Sequence, residues 1–337
     1  MRIWIDLANS PHVPFFRVLV NEFITRGHEV EITAREFAET VPLAQTAGLA
    51  PIVIGVHGGR ELSAKAGNLF QRAWALRNWA RERAFDLAVS HNSYSQILAA
   101  RGLGLRSVTL MDYEHQPANH LAFRLASRVI VPRAFPEEAV GRYGASSAKI
   151  RRYNGIKEDV YLAGFQRDPK FGAMLLKLGV AAEDVIVVVR PPARDALYHR
   201  FENELFDGLL KRLSDSPQVK TILLPRNETQ RTAYAARSEN LIIPDEPLEG
   251  ANLIAASDLV VSAGGTMNRE AAALGVPAAT IYAGTWAAID EDLVRQGRLV
   301  RLTAPVDIDE LSLQKKPISE PRNAVDVKKE VADLILE

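Results

Sequence analysis

The 337-residue chain has no cysteine. Disulfides, zinc–thiolate centres and thiol nucleophiles are therefore excluded. The chain also has no charge excess, with 41 Lys plus Arg against 41 Asp plus Glu. A balanced chain has no global field to draw in nucleic acid or anionic membranes, and no dense basic stripe interleaved with aromatics is present. Long hydrophobic runs are missing as well. Residues 40–59 and 271–289 lack Asp, Glu, Lys and Arg, but Pro42, Gly48, Pro51 and Gly55 break the first stretch, and Gly275, Pro277 and Gly284 break the second. A spanning helix needs ~20 predominantly apolar residues. The N-terminus does not read as a secretory leader, because the apolar run after Arg2 ends at Asp6. The expectation is a soluble, cytoplasmic protein without a transmembrane segment, for which peripheral membrane contact stays open through the apolar Phe15 and Phe16. The simpler role for those two is packing on a sheet.

The remainder is ordinary for a globular chain, with 47% hydrophobic and 24% charged residues. At ~150 residues per domain, the length suggests two domains. Short apolar runs alternate with helical patterns. Candidate strands are 2–7, 29–33, 51–54, 86–90, 107–110 and 128–131 in the first half, and 185–189, 221–224, 241–243, 259–261, 278–282 and 299–302 in the second. Amphipathic segments such as 15–26, 68–83 and 202–215 lie between them. Continuous apolar strands alternating with helices predict parallel sheets covered on both faces. The expected fold is α/β, with two Rossmann-like doubly wound domains facing across a cleft. The divisions are 1–160, 161–318, and a final helix in 319–337 that packs back on the first domain. Residues 154–159 read as turn chemistry near the boundary.

Ligands of open α/β sheets sit beyond the carboxyl ends of the strands, and three loops there carry chemistry. Asn9, Ser10 and His12 follow the first strand; His12 is a candidate base, with neutral imidazole favoured at a helix start, and the same three residues also suit a helix cap. Asp112, Tyr113, Glu114 and His115 follow the strand at 107–110 and form a candidate acid–base cluster. Ser262, Gly264, Gly265 and Thr266 end the strand at 259–261 and open a helix, where backbone amides and hydroxyls suit a diphosphate. Glu270, four residues after Thr266, shares that helix face and suits the vicinal hydroxyls of a ribose. Arg190 and Arg226 follow two further strands and would offer cations to a diphosphate, with Arg194 nearby. Lys157 either reaches the site or caps a turn. No GxGxxG, HExxH or histidine pair with metal-ligand spacing occurs; His91, His115 and His120 are scattered.

The block from Ser262 through Gly264, Gly265, Thr266 and Glu270 to Gly275-Val276-Pro277 resembles the nucleotide-binding segment of GT-B glycosyltransferases. It is also similar to the matching segment of the non-hydrolysing UDP-N-acetylglucosamine 2-epimerases, whose Gly-Thr-Arg-Pro-Glu opening this chain lacks. Pro11-His12-Val13 with Gly27-His28-Glu29-Val30 resembles the start of the lipid II-forming N-acetylglucosaminyltransferase. As a whole, the chain resembles an uncharacterised archaeal and bacterial family of GT-B-like proteins. The resemblance implies that Ser262, Gly264, Gly265 and Thr266 meet a diphosphate and that Glu270 meets the ribose. It also implies that the region of Trp286 and Asp290 meets the donor sugar, Trp286 by stacking and Asp290 through hydroxyls. The expected activity is a metal-independent sugar transfer from a nucleotide-diphosphate sugar, taken as a UDP-sugar, to an acceptor, with no cofactor and no nucleic-acid partner. Epimerisation of UDP-N-acetylglucosamine and non-catalytic nucleotide-sugar binding are the alternatives. Asp290-Glu291-Asp292 and Asp307-Ile308-Asp309 match a DxD pattern but read as helix-start carboxylates.

Overall fold

A computed structural model describes the chain except residues 38, 57–61, 193–198, 236–237, 318–320 and 323–324, and the side chains of 56, 62–66, 199–203 and 325. Arg194 lies outside the described residues. Two compact units form: Met1–Ala163 with Ala287–Ile289 and Ala324–Glu337, and Gly164–Trp286 with Asp290–Asn323.

The first unit begins with β1 (Arg2–Leu7), α1 (His12–Thr25), β2 (Glu29–Glu36), α2 (Thr40–Thr46), β3 (Ile52–Val56) and α3 (Leu62–Ala80). It continues with β4 (Leu87–His91), α4 (Tyr94–Leu103), β5 (Arg106–Leu110), α5 (Asn119–Leu125), β6 (Arg128–Pro132), α6 (Glu137–Arg142), β7 (Ile150–Tyr153) and α7 (Lys157–Leu162). The second unit has α8 (Phe171–Lys177), β8 (Val185–Arg190), α9 (His199–Ser214), β9 (Val219–Leu223), α10 (Glu228–Tyr234), β10 (Leu241–Ile242) and α11 (Gly250–Ala256). It ends with β11 (Leu259–Ser262), α12 (Gly265–Ala273), β12 (Ala278–Thr280), α13 (Ala288–Arg295), whose first two residues group with the first unit, β13 (Val300–Arg301) and α14 (Pro305–Asp309); α15 (Val325–Leu336) returns to the first unit.

Both sheets are wholly parallel, in the orders β3-β2-β1-β4-β5-β6-β7 and β10-β9-β8-β11-β12-β13. The two doubly wound α/β sheets expected from the alternating pattern are present. Of residues 154–159, expected to form a boundary turn, 154–156 make the bend and Lys157–Asp159 open α7; β7 at Ile150–Tyr153 was not among the expected strands. Two arginines interrupt the apolar run of β7, and only Tyr153 of that edge strand is buried.

The core of the first unit explains α1. Phe15, Phe16, Leu19, Val20 and Phe23 recur at helical spacing and bury against Ile3, Ile5 and Leu7, with Val331 and Ile335 of α15 in the same cluster. Each such side chain contributes ~1.5–3 kcal/mol on burial. Phe15 and Phe16 are fully enclosed, so they serve the core and offer nothing to a membrane. No helix among the described residues is long and apolar enough to cross one.

On the opposite face, a buried polar row crosses the sheet. Asp6 of β1 registers with Thr33 of β2 and Ser90 of β4, and Ser90 registers with Thr109 of β5. Arg72 of α3 closes a bidentate pair with Asp6, at 2.9 Å from Nη1 to Oδ2 and 2.7 Å from Nη2 to Oδ1, and donates Nε–H to the Ile54 carbonyl. Thr33 and Ser93 hydroxyls also donate to Asp6. Gly55 is left-handed (φ +86°), and a Cβ there would meet the Arg72 stem at 2.9 Å, so glycine lets Arg72 reach inward. Burial alone would raise the Asp6 pKa; the Arg72 charge and the three hydrogen-bonding side chains outweigh it and hold the carboxyl below the ordinary 3.8.

Arg72→Met leaves Asp6 as an unpaired buried carboxylate and is expected to cost about 3–5 kcal/mol in urea unfolding. A cost below ~1 kcal/mol contradicts the role given to the pair. Because Asp6 titrates lower when folded, its contribution is complete above pH 3.8 and lost as pH falls through the folded value. Stability of the variant should therefore depend less on pH in that range.

Candidate functional site

The strand order of each sheet reverses once. In the first unit the reversal falls between β1 and β4, where connections leave to opposite sides and open a crevice at the strand carboxyl ends. His12 opens α1 just after β1, and His91 ends β4. Their rings meet there, 4.7 Å between centroids, with Phe15 edge-on to His91 at 5.8 Å. Asp112, two residues past β5, lies 3.7 Å from His91 Nε2 through Oδ1 and 3.2 Å from Lys157 Nζ through Oδ2. Lys157 opens α7 and lies 3.5 Å from Glu158 Oε1. His91, Asp112, Lys157 and Glu158 are all buried. Charged groups are buried this way only when paired.

His12 is the exception. The residue keeps some surface, but its Nδ1 is buried without a protein hydrogen-bond partner. Burial, followed by repulsion from His91, Lys157 and Arg35, outweighs the attraction of Asp112 and holds the imidazole well below the ordinary 6.5. The helix-cap alternative for this loop is not what forms. No side chain caps α1; His12 N–H and Val13 N–H donate to the carbonyls of Asn9 and Ser10. Asn9 Oδ1 accepts from Ser10 N–H, and the Ser10 hydroxyl meets that of Thr40 at 3.3 Å. Both side chains shape the loop, as does Arg35, which donates to the Ala8 carbonyl.

Glu114 and His115 sit farther along the same loop. Glu114 is buried, its Oε1 accepting from Ala288 N–H at 2.6 Å within the same unit and lying 3.5 Å from His115 Nε2. The loop thus forms two groups: Asp112 with His91 and Lys157, and Glu114 with His115.

In the second unit the order reverses between β8 and β11. Arg190, the last residue of β8, registers with Ser262, the last of β11, so Arg190 and the Gly264-Gly265 turn share one crevice. Ser262 Oγ donates to the Gly264 carbonyl and lies 3.2 Å from its N–H, which closes the turn before α12. Arg226 Nη2 packs against Gly264, 3.3 Å from where a Cβ would stand, and its Nε–H donates to the Pro191 carbonyl. Gln230 buttresses this arrangement, accepting from Arg226 N–H and donating to the Pro192 carbonyl. Thr266 and Glu270 lie on α12, both half-buried, and the charges of Glu270 and Arg190 attract one another. Two cations, a helix start and a carboxylate are therefore gathered at one strand-end crevice.

Trp286 and Asp290 are engaged elsewhere. The Trp286 indole donates to the Tyr282 carbonyl, and the Arg301 guanidinium lies 4.3 Å from its ring centroid. Asp290 forms a bidentate pair with Arg269 at 2.7 and 2.9 Å. The sugar contacts expected of them would compete with these partners. Asp290, Glu291 and Asp307 lie in first turns of α13 and α14, as helix-start carboxylates do. Sequence reasoning passed over His91 as scattered and did not single out Arg72 or Glu158. His91 alone carried a signal, because it ends a strand.

The family model described as "Protein of unknown function (DUF354)" matches residues 1–336, and the chain belongs to that family. The uncharacterized protein MJ0665 of Methanocaldococcus jannaschii is 27% identical over 306 residues, covering 88% of this chain and 86% of that protein. Among solved structures, the UDP-GlcNAc 2-epimerase of Methanocaldococcus jannaschii and that of Neisseria meningitidis bound to UDP-GlcNAc each superpose at a TM-score of 0.74 and 13% identity, over 100% of both chains. Anabaena Alr3699/HepE in complex with UDP and glucose superposes at 0.67 and 16% identity, over 100% of this chain and 99% of that one. At these identities the likeness is one of fold, the GT-B fold.

A depressed His12 pKa has a measurable consequence. Above pH 6.5 the group contributes no pH dependence; below it the unfolded chain takes up a proton that the folded chain refuses. Stability should fall as pH drops from 6.5 toward the folded value, and His12→Asn should flatten that decline. An NMR titration placing His12 at or above 6.5 contradicts the enclosure described.

Proposed function

We propose that this DUF354 member is a sugar transferase acting on a nucleotide-diphosphate sugar, taken as a UDP-sugar. The observation that carries the reading is His12: an imidazole held neutral, with an unpartnered buried nitrogen, at the reversal point of its sheet. A neutral imidazole at such an address is suited to take the proton of an attacking hydroxyl. As that hydroxyl bonds the anomeric carbon, the bond from carbon to the diphosphate oxygen breaks and UDP leaves. The leaving group needs stabilised charge. Arg190, Arg226 and the α12 start at Gly265 and Thr266 are assigned that task, with Ser262 and Gly264 shaping the turn and Glu270 assigned the ribose hydroxyls. The UDP-GlcNAc and the UDP with glucose carried by the similarly folded proteins support the donor class.

A second reading rests on Asp112. A buried carboxylate between His91 and Lys157, near His12, offers two proton-handling groups at one place, as 2-epimerisation of a UDP-sugar requires. Glu114 with His115 is assigned a supporting place near the sugar in either case.

A thermal-shift series with UDP, UDP-sugars and other nucleotides tests the reading. A bound ligand at a hundred times its dissociation constant adds ~2.7 kcal/mol, so UDP-sugars should raise Tm in wild type and His12→Ala but not in Glu270→Ala. Turnover should fall by about 10²–10⁴ in His12→Ala. UDP release only with an acceptor extract supports transfer, whereas a C2-epimeric UDP-sugar formed without acceptor supports the second reading. No stabilisation by any UDP-sugar removes both.

A further inference from the structure

The helix α3 has two opposed faces. Its inner face places Arg72, Ala73, Leu76 and Ala80 in the interior. Its outer face leaves Phe70 62% and Trp74 66% exposed. They are four residues apart, and Arg77 and Arg81 continue the same side toward the helix end, so two aromatics and two cations share one outward stripe. Trp79, by contrast, turns to Trp4 and Phe85 and is part of the core cluster. Exposing two large aromatics one turn apart costs solubility, which marks an interaction surface.

The charge of the surroundings has one sign. Neither the 19 residues of α3 nor the 10 of α4 beside it include Asp or Glu, although the chain has 41 acidic residues; the 7 of α5 include none either. Arg77 Nε donates to the Gly102 carbonyl at the end of α4, which links the stripe to a hollow of about 230 Å³ lined by Arg101, Gly104, Leu105, Arg106, Leu125 and Ser127. In sequence the acid-free run is flanked by Glu61, immediately before α3, and by Glu82, which is exposed and 3.8 Å from Arg81; such exposed pairs are weak in water.

We infer that the α3–α4 face of the first unit docks on an anionic lipid surface, with Phe70 and Trp74 inserted at the headgroup level and Arg77, Arg81 and Arg101 against the anionic headgroups. Charge complementarity decides the occupant. A second copy of this chain would bring cations against cations. A convex helix bearing aromatics and arginines, with no groove or flat sheet for stacked bases, matches interfacial helices rather than single-strand binders. This inference does not rest on the nucleotide-sugar reading.

The test is co-sedimentation of the full-length protein with vesicles of phosphatidylcholine alone and of phosphatidylcholine with phosphatidylglycerol, alongside a single-stranded RNA. Binding is expected only to the phosphatidylglycerol vesicles, with weakening as NaCl rises from 0.1 to 0.5 M, over which the Debye length shortens about twofold, from ~10 Å to ~4–5 Å. Phe70→Ser with Trp74→Ser should lower the bound fraction about tenfold with Tm unchanged, and so should Arg81→Glu with Arg101→Glu. Equal binding to neutral vesicles, no vesicle binding, RNA binding without vesicle binding, or loss of a dimer instead of lipid binding in the aromatic variant would each overturn the inference.

Discussion

Parallel strands must all point their carboxyl ends to one edge of the sheet, and a doubly wound chain must reverse its strand order once. That constraint fixes where two otherwise unrelated loops can meet. In the first unit they are the loops after β1 and β4, carrying His12 and His91; in the second they are the end of β8 and the turn after β11, carrying Arg190 and Gly264. The Asp6–Arg72 pair sits directly beneath the first of these meeting points. It ties β1, β3, α3 and the Ser93 cap of α4 into one polar knot. The residues after β1 and β4 are thus held by the same buried charges that hold the sheet.

The distribution of charge follows from the cost of burial. Asp6, Asp112 and Lys157 are buried with ionic partners, which offsets desolvation. His12 takes the other course and stays neutral, surrounded more by cations than by anions. A group that stays neutral at ordinary pH, with a buried Nδ1 free of protein partners, adds little to stability and is in the unprotonated form that a general base needs, although its lowered pKa makes it a weaker base than a free imidazole. The zero net charge of the chain conceals this local sorting, and it equally conceals the acid-free layer formed by α3 and α4.

Much of this was legible in the sequence because parallel strands are continuous apolar runs. Strands β1, β4, β8 and β11 announce themselves, and their following loops are then functional addresses by rule. What escaped did so for physical reasons. The Arg151 and Arg152 side chains of β7 bond at the sheet edge, to Glu337 and to the Phe135 carbonyl, so the run lost its apolar signature. Arg72 lies mid-helix among alanines and reads as a solvated face, because only the fold brings Asp6 opposite it across 66 positions. His91 looked isolated because its partners, His12 and Asp112, come from other strands. The sequence could not show that Trp286 and Asp290 have protein partners, Arg301 and Arg269, with which a sugar would compete.

The central claim is that the second unit's reversal point receives a nucleotide diphosphate. A crystal structure of the full chain soaked with UDP addresses it most directly. The account predicts diphosphate oxygens on the backbone amides of Gly265 and Thr266 and on the Arg226 guanidinium, with the ribose hydroxyls on Glu270. UDP bound away from β8 and β11, or bound there with Glu270 facing the phosphates, would contradict it.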